Sequence, residues 1–277
     1  VLGEIDFPSV GHVWLAQQGR GAQVSFVTGQ DAQQPWAITP EDYRALVNEH
    51  TRLVSVSHVS YSNGYKQDIA AIAKIAHAQG ALMFVDAYQS AGAMAIDVVR
   101  DDIDVLVAGG QKYLLGCPGI GFMYMRRNLA QALKPANTGW FGRVNPFAFD
   151  IRGLDYADGA RRFDTGTPPY INAVAAGAGM ALLGSLDMAL VEAHLEQLSS
   201  VALDTASALG LRVASPLNPK QKGSNTAIVV PDAGALEIAL GQQGFVVSAR
   251  GPVIRVAPHF YNTAEEVESA LVAIKRL

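Results

Sequence analysis

Short apolar runs alternate with helical patterns along most of this chain, and no other feature restricts the fold so tightly. Strands are expected at Val24–Val27, Leu53–Ser57, Leu82–Asp86, Asp104–Ala108 and Gly121–Met125. They are Val-, Leu-, Ile- and Met-rich, and mostly continuous in apolar character rather than alternating. That is the signature of strands covered on both faces in a largely parallel sheet. Helices are expected between them at Pro40–Glu49 and Gln67–Gln79, with Gly80 as a stop. Strand–helix alternation implies an α/β layer fold, in which ligands bind beyond the carboxyl ends of the strands.

The second half changes character. Residues 137–167 read NTGWFGRVNPFAFDIRGLDYADGARRFDTGT, irregular and rich in Gly, aromatics and Arg. Long segments of this kind inside compact domains are usually functional. Pro168-Pro169 then opens a helix, and a second helical pattern covers Leu186–Leu209. Short strands at Thr226–Val230, Phe245–Ser248 and Val253–Ala257 alternate with helices at Ala233–Gln243 and Ala264–Arg276. The expected organisation is therefore a large domain over residues 1–185 and a small α+β domain over residues 186–277.

Composition excludes several function classes. With a formal charge of −4 and no dense Lys/Arg run, the chain lacks the footprint of a partner for nucleic acid or an anionic membrane. The apolar stretch Ala173–Leu183 is too short and too Gly-rich to span a bilayer. One cysteine, Cys117, precludes an intrachain disulfide framework and fits a reducing, cytoplasmic setting. The sequence opens on VLGEIDFPS, an apolar run followed at once by a candidate active loop, so a preceding segment is expected.

Two lone charged residues stand at neighbouring strand ends. Asp86 closes an apolar run, and Lys112 follows another, flanked by Gly109-Gly110 and Tyr113. A partly desolvated lysine favours its neutral amine, the form that condenses with a carbonyl; the same residue also reads as a surface lysine with its stem along an apolar wall. A carboxylate at Asp86 suits a pyridine nitrogen or, equally, a helix N-cap. Gln89 lies close enough to reach the same ligand, or faces solvent. Arg255, within VIRVAPHFYNT, requires a partner if buried: a bound carboxylate or a structural acid.

Other motifs carry less. GCPGIG (Gly116–Gly121) precedes a strand instead of opening a helix, which removes the dinucleotide reading and leaves a tight turn. Cys117 has no neighbouring His to activate it. The His residues are scattered, and neither a metal-ligand spacing nor a Gly-x-Ser-x-Gly elbow occurs.

Taken in order, DFPSVGHVW, SHVSYSNG, VDAYQSAG, GGQKYLLGCPGIGFMY, GWFG, RRFDTGTPP and IRVAPHFYNT resemble the class V aminotransferase group of pyridoxal-phosphate enzymes. That group includes cysteine desulfurases, isopenicillin-epimerase-like proteins and kynureninases. Its specific mark is the Asp-x-x-Gln pair with a lysine 26 residues after the Asp. The resemblance implies the fold type I architecture, pyridoxal 5'-phosphate as cofactor, a small amino acid as substrate and a homodimer with a shared active site. It implies that Lys112 is the Schiff-base lysine and the proton shuttle at Cα. Asp86 would pair with the pyridinium nitrogen, Phe7 would stack on the ring, and Gln89 would contact its hydroxyl or the aldimine region. Ser57 and Gln111 fall at cofactor-contacting positions. Trp140 and Thr167 match phosphate-contacting positions often donated across the dimer interface, and Arg255 would bind the substrate carboxylate. Val10, His58, Tyr61 and His259 read equally as substrate-side, core or rim residues.

The departures are informative. Desulfurases carry a catalytic Cys before the final Arg and a His before the lysine; here SARGPVIR has no Cys and Gln111 precedes Lys112. Kynureninases share GWFG but differ at Gln111, Gln89, Val10 and Thr167. The expected activity is amino transfer, with kynureninase-like hydrolysis, epimerisation or a non-catalytic cofactor-fold protein as the alternatives. The group also has an N-terminal segment with a phosphate-binding helix start, which this sequence does not contain.

Overall fold

A computed structural model describes residues 1–30 and 37–277. Its larger sheet contains β1 (Leu2–Gly3), β2 (Phe26–Val27), β3 (Leu53–Ser57), β4 (Leu82–Asp86), β5 (Val105–Gly109) and β6 (Gly121–Met125). The spatial order is β2-β1-β3-β4-β5-β6. Every pair is parallel up to β5, and β6 closes the edge antiparallel. The parallel strands end on one rim, where Ser57 and Asp86 pair in register.

Helix α3 (Ile69–Ala78) shows how local sequence fixes this layer. Asp68 caps it by accepting the Ala71 N–H at 2.9 Å. Ile69, Ile72, Ala73, Ile75 and Ala76 form its buried stripe, and Gly80 ends it at φ +74°. That stripe shares one core with Val54, Val56, Met83 and Val85 from β3 and β4. The remaining helices of this half are α1 (Pro8–Leu15), α2 (Pro40–Arg44), α4 (Arg127–Ala132) and α5 (Tyr170–Gly184).

The smaller sheet is antiparallel, with β7 (Thr226–Val229), β8 (Ser248–Arg250) and β9 (Val253–Val256) in the order β7-β9-β8. Against it lie α6 (Met188–Ala208), α7 (Ala233–Gln242) and α8 (Ala264–Arg276). Helix α8 opens on a reciprocal capping box between Thr263 and Glu266 and closes on Lys275 and Arg276, which complement its dipole. This second core also takes in Val59, Ala93, Met94 and Tyr113, so the two halves meet through packed side chains. Among the described residues no single helix is long and apolar enough to cross a membrane.

Differences from the sequence expectation have local causes. Helix α2 stops at Arg44 because the Asn48 side chain accepts the His50 N–H at 2.9 Å and donates to the Leu46 carbonyl, a turn that competes with helix. Strand β5 starts one residue late because the Asp104 carboxylate accepts the Met83 N–H and meets His77, at 2.8 and 2.7 Å. Strand β8 begins at Ser248 instead of Phe245 because the Phe245 N–H closes the end of α7 on the Leu240 carbonyl. Helix α1 was not anticipated: the candidate active loop ends at Phe7, an extended residue, and Pro8 stands at the first turn of the helix.

Candidate active site

A cavity of about 1050 Å³ opens at the rim where β3, β4 and β5 end. Six residues singled out from the sequence line it together: Phe7, Ser57, Asp86, Gln89, Gln111 and Lys112. Val10 and Tyr61 line it as well, and Phe7 packs edge-on against Tyr61 at 5.0 Å between centroids. Each main side chain arrives from a different element. Phe7 precedes α1, Ser57 ends β3, Asp86 ends β4, and Lys112 follows β5.

The turn after β4 and the loop after β5 interlock. Gly92 adopts φ +92°, and a Cβ there would lie 2.2 Å from the Tyr113 carbonyl oxygen, so a side chain would drive the two segments apart. Beyond Lys112 the chain folds back, with the Leu115 N–H on the Lys112 carbonyl and the Gly116 N–H on the Gly110 carbonyl, at 3.0 and 2.7 Å. The GCPGIG stretch is thus part of a tight turn, with Gly119 at φ +102°.

Charge in the cavity is arranged in opposition. Burial depresses the Lys112 amine to about pKa 8; repulsion from Arg255 and Arg250 adds to this, and attraction from Asp86 opposes it. The Asp86 carboxyl is raised by burial, against a 2.8 Å hydrogen bond from the Tyr88 N–H and the pull of Lys112. A second acid stands behind it. Asp6 is buried, accepts the Ser57 N–H at 2.9 Å, and is pushed up to about 7, mainly by burial and further by Asp86. Its other oxygen has no hydrogen-bond partner among the described residues.

Arg255 is half-buried on β9 and donates to the Tyr61 carbonyl. Its Nε, like Gln89 Nε2, is buried without a partner among the described residues. Burying unmet donors costs free energy that a polar ligand recovers. The residues present therefore fit pyridoxal phosphate and an amino-acid carboxylate: an acid, an amine, an aromatic ring and the unmet Gln89 Nε2 converge on a space of suitable size, and Arg255, whose charge is felt at Lys112, does not itself line it. Among the described residues no cluster of His, Cys, Asp or Glu is placed to hold a metal ion.

Not every expected residue reaches the cavity. Trp140 lies in an aromatic cluster, 4.4 Å from Phe141 and 6.2 Å from Phe149 between centroids, and Thr167 is exposed; neither lines the cavity of its own chain. His58 points to a separate 550 Å³ cavity, and His259 is buried against the Tyr113 carbonyl at 2.9 Å. Two cavity residues, Tyr88 and Arg161, and the buried Asp6 behind the cavity carried no expectation, although all three lay inside motifs read for other residues. Acids and aromatics interleaved with expected ligands were the available signal.

Comparison with known proteins follows from this geometry. A family model described as Aminotransferase class-V matches residues 1–269. "Uncharacterized aminotransferase YcbU" of Bacillus subtilis is 41% identical over 98% of this chain and 70% of its own length. A "Probable cysteine desulfurase" of Vibrio cholerae is 31% identical over 84% of this chain, and a "Kynureninase" of Pseudomonas fluorescens is 27% identical over 78%. The chain spans only 60% and 53% of those two relatives. The apo structure of a cysteine desulfurase from Thermococcus onnurineus NA1 superposes over 99% of this chain and 71% of its own, with a TM-score of 0.87 at 23% identity, which shows a shared fold.

Proposed function

Because the chain belongs to the class V aminotransferase family, a family of pyridoxal-phosphate enzymes with the fold type I architecture, we propose that it transfers the amino group of a small amino acid. The observation that carries this reading is the opposition of Lys112 and Asp86 across one cavity, with Arg255, its Nε unmet among the described residues, near enough for its charge to act on Lys112. When bound, pyridoxal phosphate supplies the electron sink for the pair left by a bond broken at Cα.

The chain's own residues do the rest. Asp86 would hold a proton on the ring nitrogen of the bound cofactor, and its raised proton affinity suits a shared hydrogen bond there. Lys112, its proton affinity lowered to about 8, is more readily neutral than an ordinary lysine, about a tenth of it near neutral pH, and would move the proton at Cα. Phe7 would stack on the ring of the bound cofactor, and Gln89, Ser57 and Gln111, which line the same cavity, would contact it. Arg255 grips the substrate carboxylate in the planar, two-toothed manner of guanidinium. Cys117 does not line the cavity, which supports amino transfer over sulfur chemistry.

The same reading includes a homodimer. Trp140 and Thr167 would reach a phosphate only across a subunit boundary. The surface around Trp140 supports one, because Phe147 and Phe149 cluster with it and are exposed, and exposed apolar clusters mark interfaces. It also divides the chain into a cofactor domain over 1–185 and a small domain over 186–277 that brings Arg255.

The test is amino transfer from a panel of amino acids to 2-oxo acids, in wild type and Lys112→Ala. Turnover in wild type that vanishes in the variant is expected. Hydrolysis of kynurenine, or sulfide release from cysteine, without amino transfer would overturn the reaction type. Saturable cofactor binding with no turnover on any substrate would overturn the enzymatic reading.

A further inference from the structure

Tyr88 enters the cavity two residues after Asp86, and three observations fix its ring. Gly109, at the end of β5, is its seat: a Cβ there would fall 1.9 Å from Tyr88 Cζ and 2.0 Å from its hydroxyl. Only glycine leaves that strand end open to the ring. The phenol donates to Gln111 Oε1 at 2.6 Å, tying the ring to the residue before Lys112. The ring face then meets the amine, with Lys112 Nζ 4.7 Å from the centroid, within the range where a cation is held by an aromatic quadrupole.

We propose that Tyr88 is a positioning residue for Lys112, its ring on Gly109 forming the platform on which the amine rests facing the cavity. The inference deepens the proposed function and rests on its reading of Lys112 as the reacting amine. It assigns a purpose to the Gly109-Gly110 pair, whose first member makes room for the platform. It also defines a balance. Burial, Arg255 and Arg250 favour the neutral amine, Asp86 favours the ammonium, and the ring face adds to the side of Asp86. Without the ring, the amine loses both a resting place and a source of proton affinity.

The test reads Lys112 directly. The full chain, freed of cofactor by hydroxylamine and dialysis, is labelled with trace acetic anhydride across pH. Modification of Lys112 is followed by peptide mass spectrometry in wild type, Tyr88→Phe, Tyr88→Leu and Gly109→Ala. Tyr88→Leu keeps bulk but removes the π face, and Gly109→Ala displaces the ring without changing it. In both, the proton affinity of Lys112 should fall about two- to fivefold, seen as a lower midpoint of the labelling profile. Tyr88→Phe keeps the ring and should keep the wild-type midpoint. Unchanged midpoints in Tyr88→Leu and Gly109→Ala would overturn the proposal. So would a Tyr88→Phe midpoint that falls with Tyr88→Leu, because the bond to Gln111 would then hold the amine. Borohydride reduction of the cofactor-loaded wild type that links the cofactor to a residue other than Lys112 would instead sink the reading of Lys112 itself, and the labelling result separates the two failures.

Discussion

Two lysines of this chain are held below their ordinary proton affinity, Lys112 at about 8 and Lys222 at about 7, in both cases chiefly by burial. Their surroundings differ in every other respect. Lys112 opens into a cavity and meets a carboxylate, an aromatic face and two repelling arginines. Lys222 is 1% exposed, and its ammonium donates to Ser199 and Thr226 hydroxyls at 2.8 and 3.0 Å. A depressed lysine is thus no mark of chemistry by itself. What separates the two is access to a ligand and a partner able to share a proton. On the proposed function Lys112 is the reacting group, whereas Lys222 belongs to the packing where the two halves meet.

The largest way to break the comparison is to remove each amine. Lys112→Ala should lower turnover by about 10²–10⁴-fold with the circular dichroism spectrum unchanged. Lys222→Met should leave turnover within a small factor of wild type. Comparable losses in both would erase the distinction. Next in size, Arg255→Lys should raise KM for an amino-acid substrate about 10- to 100-fold, as expected for losing a charge-assisted bond, with a smaller change in kcat; initial-rate kinetics checks this. An unchanged KM would return Arg255 to a structural part on β9.

Stability against pH sharpens the contrast. Lys222 has a folded pKa below its unfolded one, so its penalty is present below about pH 7 and is relieved as pH rises toward the ordinary lysine value. Lys222→Met should therefore be more stable than wild type at pH 6, and the difference in Tm should shrink as pH climbs to 10. Replacing a buried charge by an apolar side chain is neutral or favourable in such settings. The smallest effect concerns Asp6. Its folded pKa of about 7 lies above the ordinary carboxylate value, so its contribution is intact at pH 4 and lost as pH rises through 7. Asp6→Asn keeps an acceptor for the Ser57 N–H. It should gain Tm relative to wild type as pH rises from 4 to 8, in calorimetry at both ends.

Much of the fold was legible because it rests on local patterns. The Val- and Leu-rich runs that became β3 and β4, and the capped stripe of α3, carry their structure in period and punctuation. Asp86, Gln89 and Lys112 were legible for the same reason, since each sits at a fixed offset from a strand end. The boundaries of α2 and β8 depended on side-chain turns and helix-end bonds that periodicity does not register. Asp6 was hidden because its partner, the Ser57 N–H, lies 51 residues away. Tyr88 was hidden because its meaning depends on Gly109, a neighbour only once β4 and β5 pair. Trp140 and Thr167 remain outside the cavity of a single chain, and sedimentation across a concentration series would test the dimer they call for.

The most direct measurement is borohydride reduction of wild type, Lys112→Ala and Lys222→Met loaded with pyridoxal phosphate, followed by peptide mass spectrometry to locate the cofactor. Reduction should link the cofactor stoichiometrically to Lys112 in wild type and in Lys222→Met, and to no residue in Lys112→Ala. A stoichiometric link at another lysine, or one lost with Lys222, would contradict the reading of Lys112.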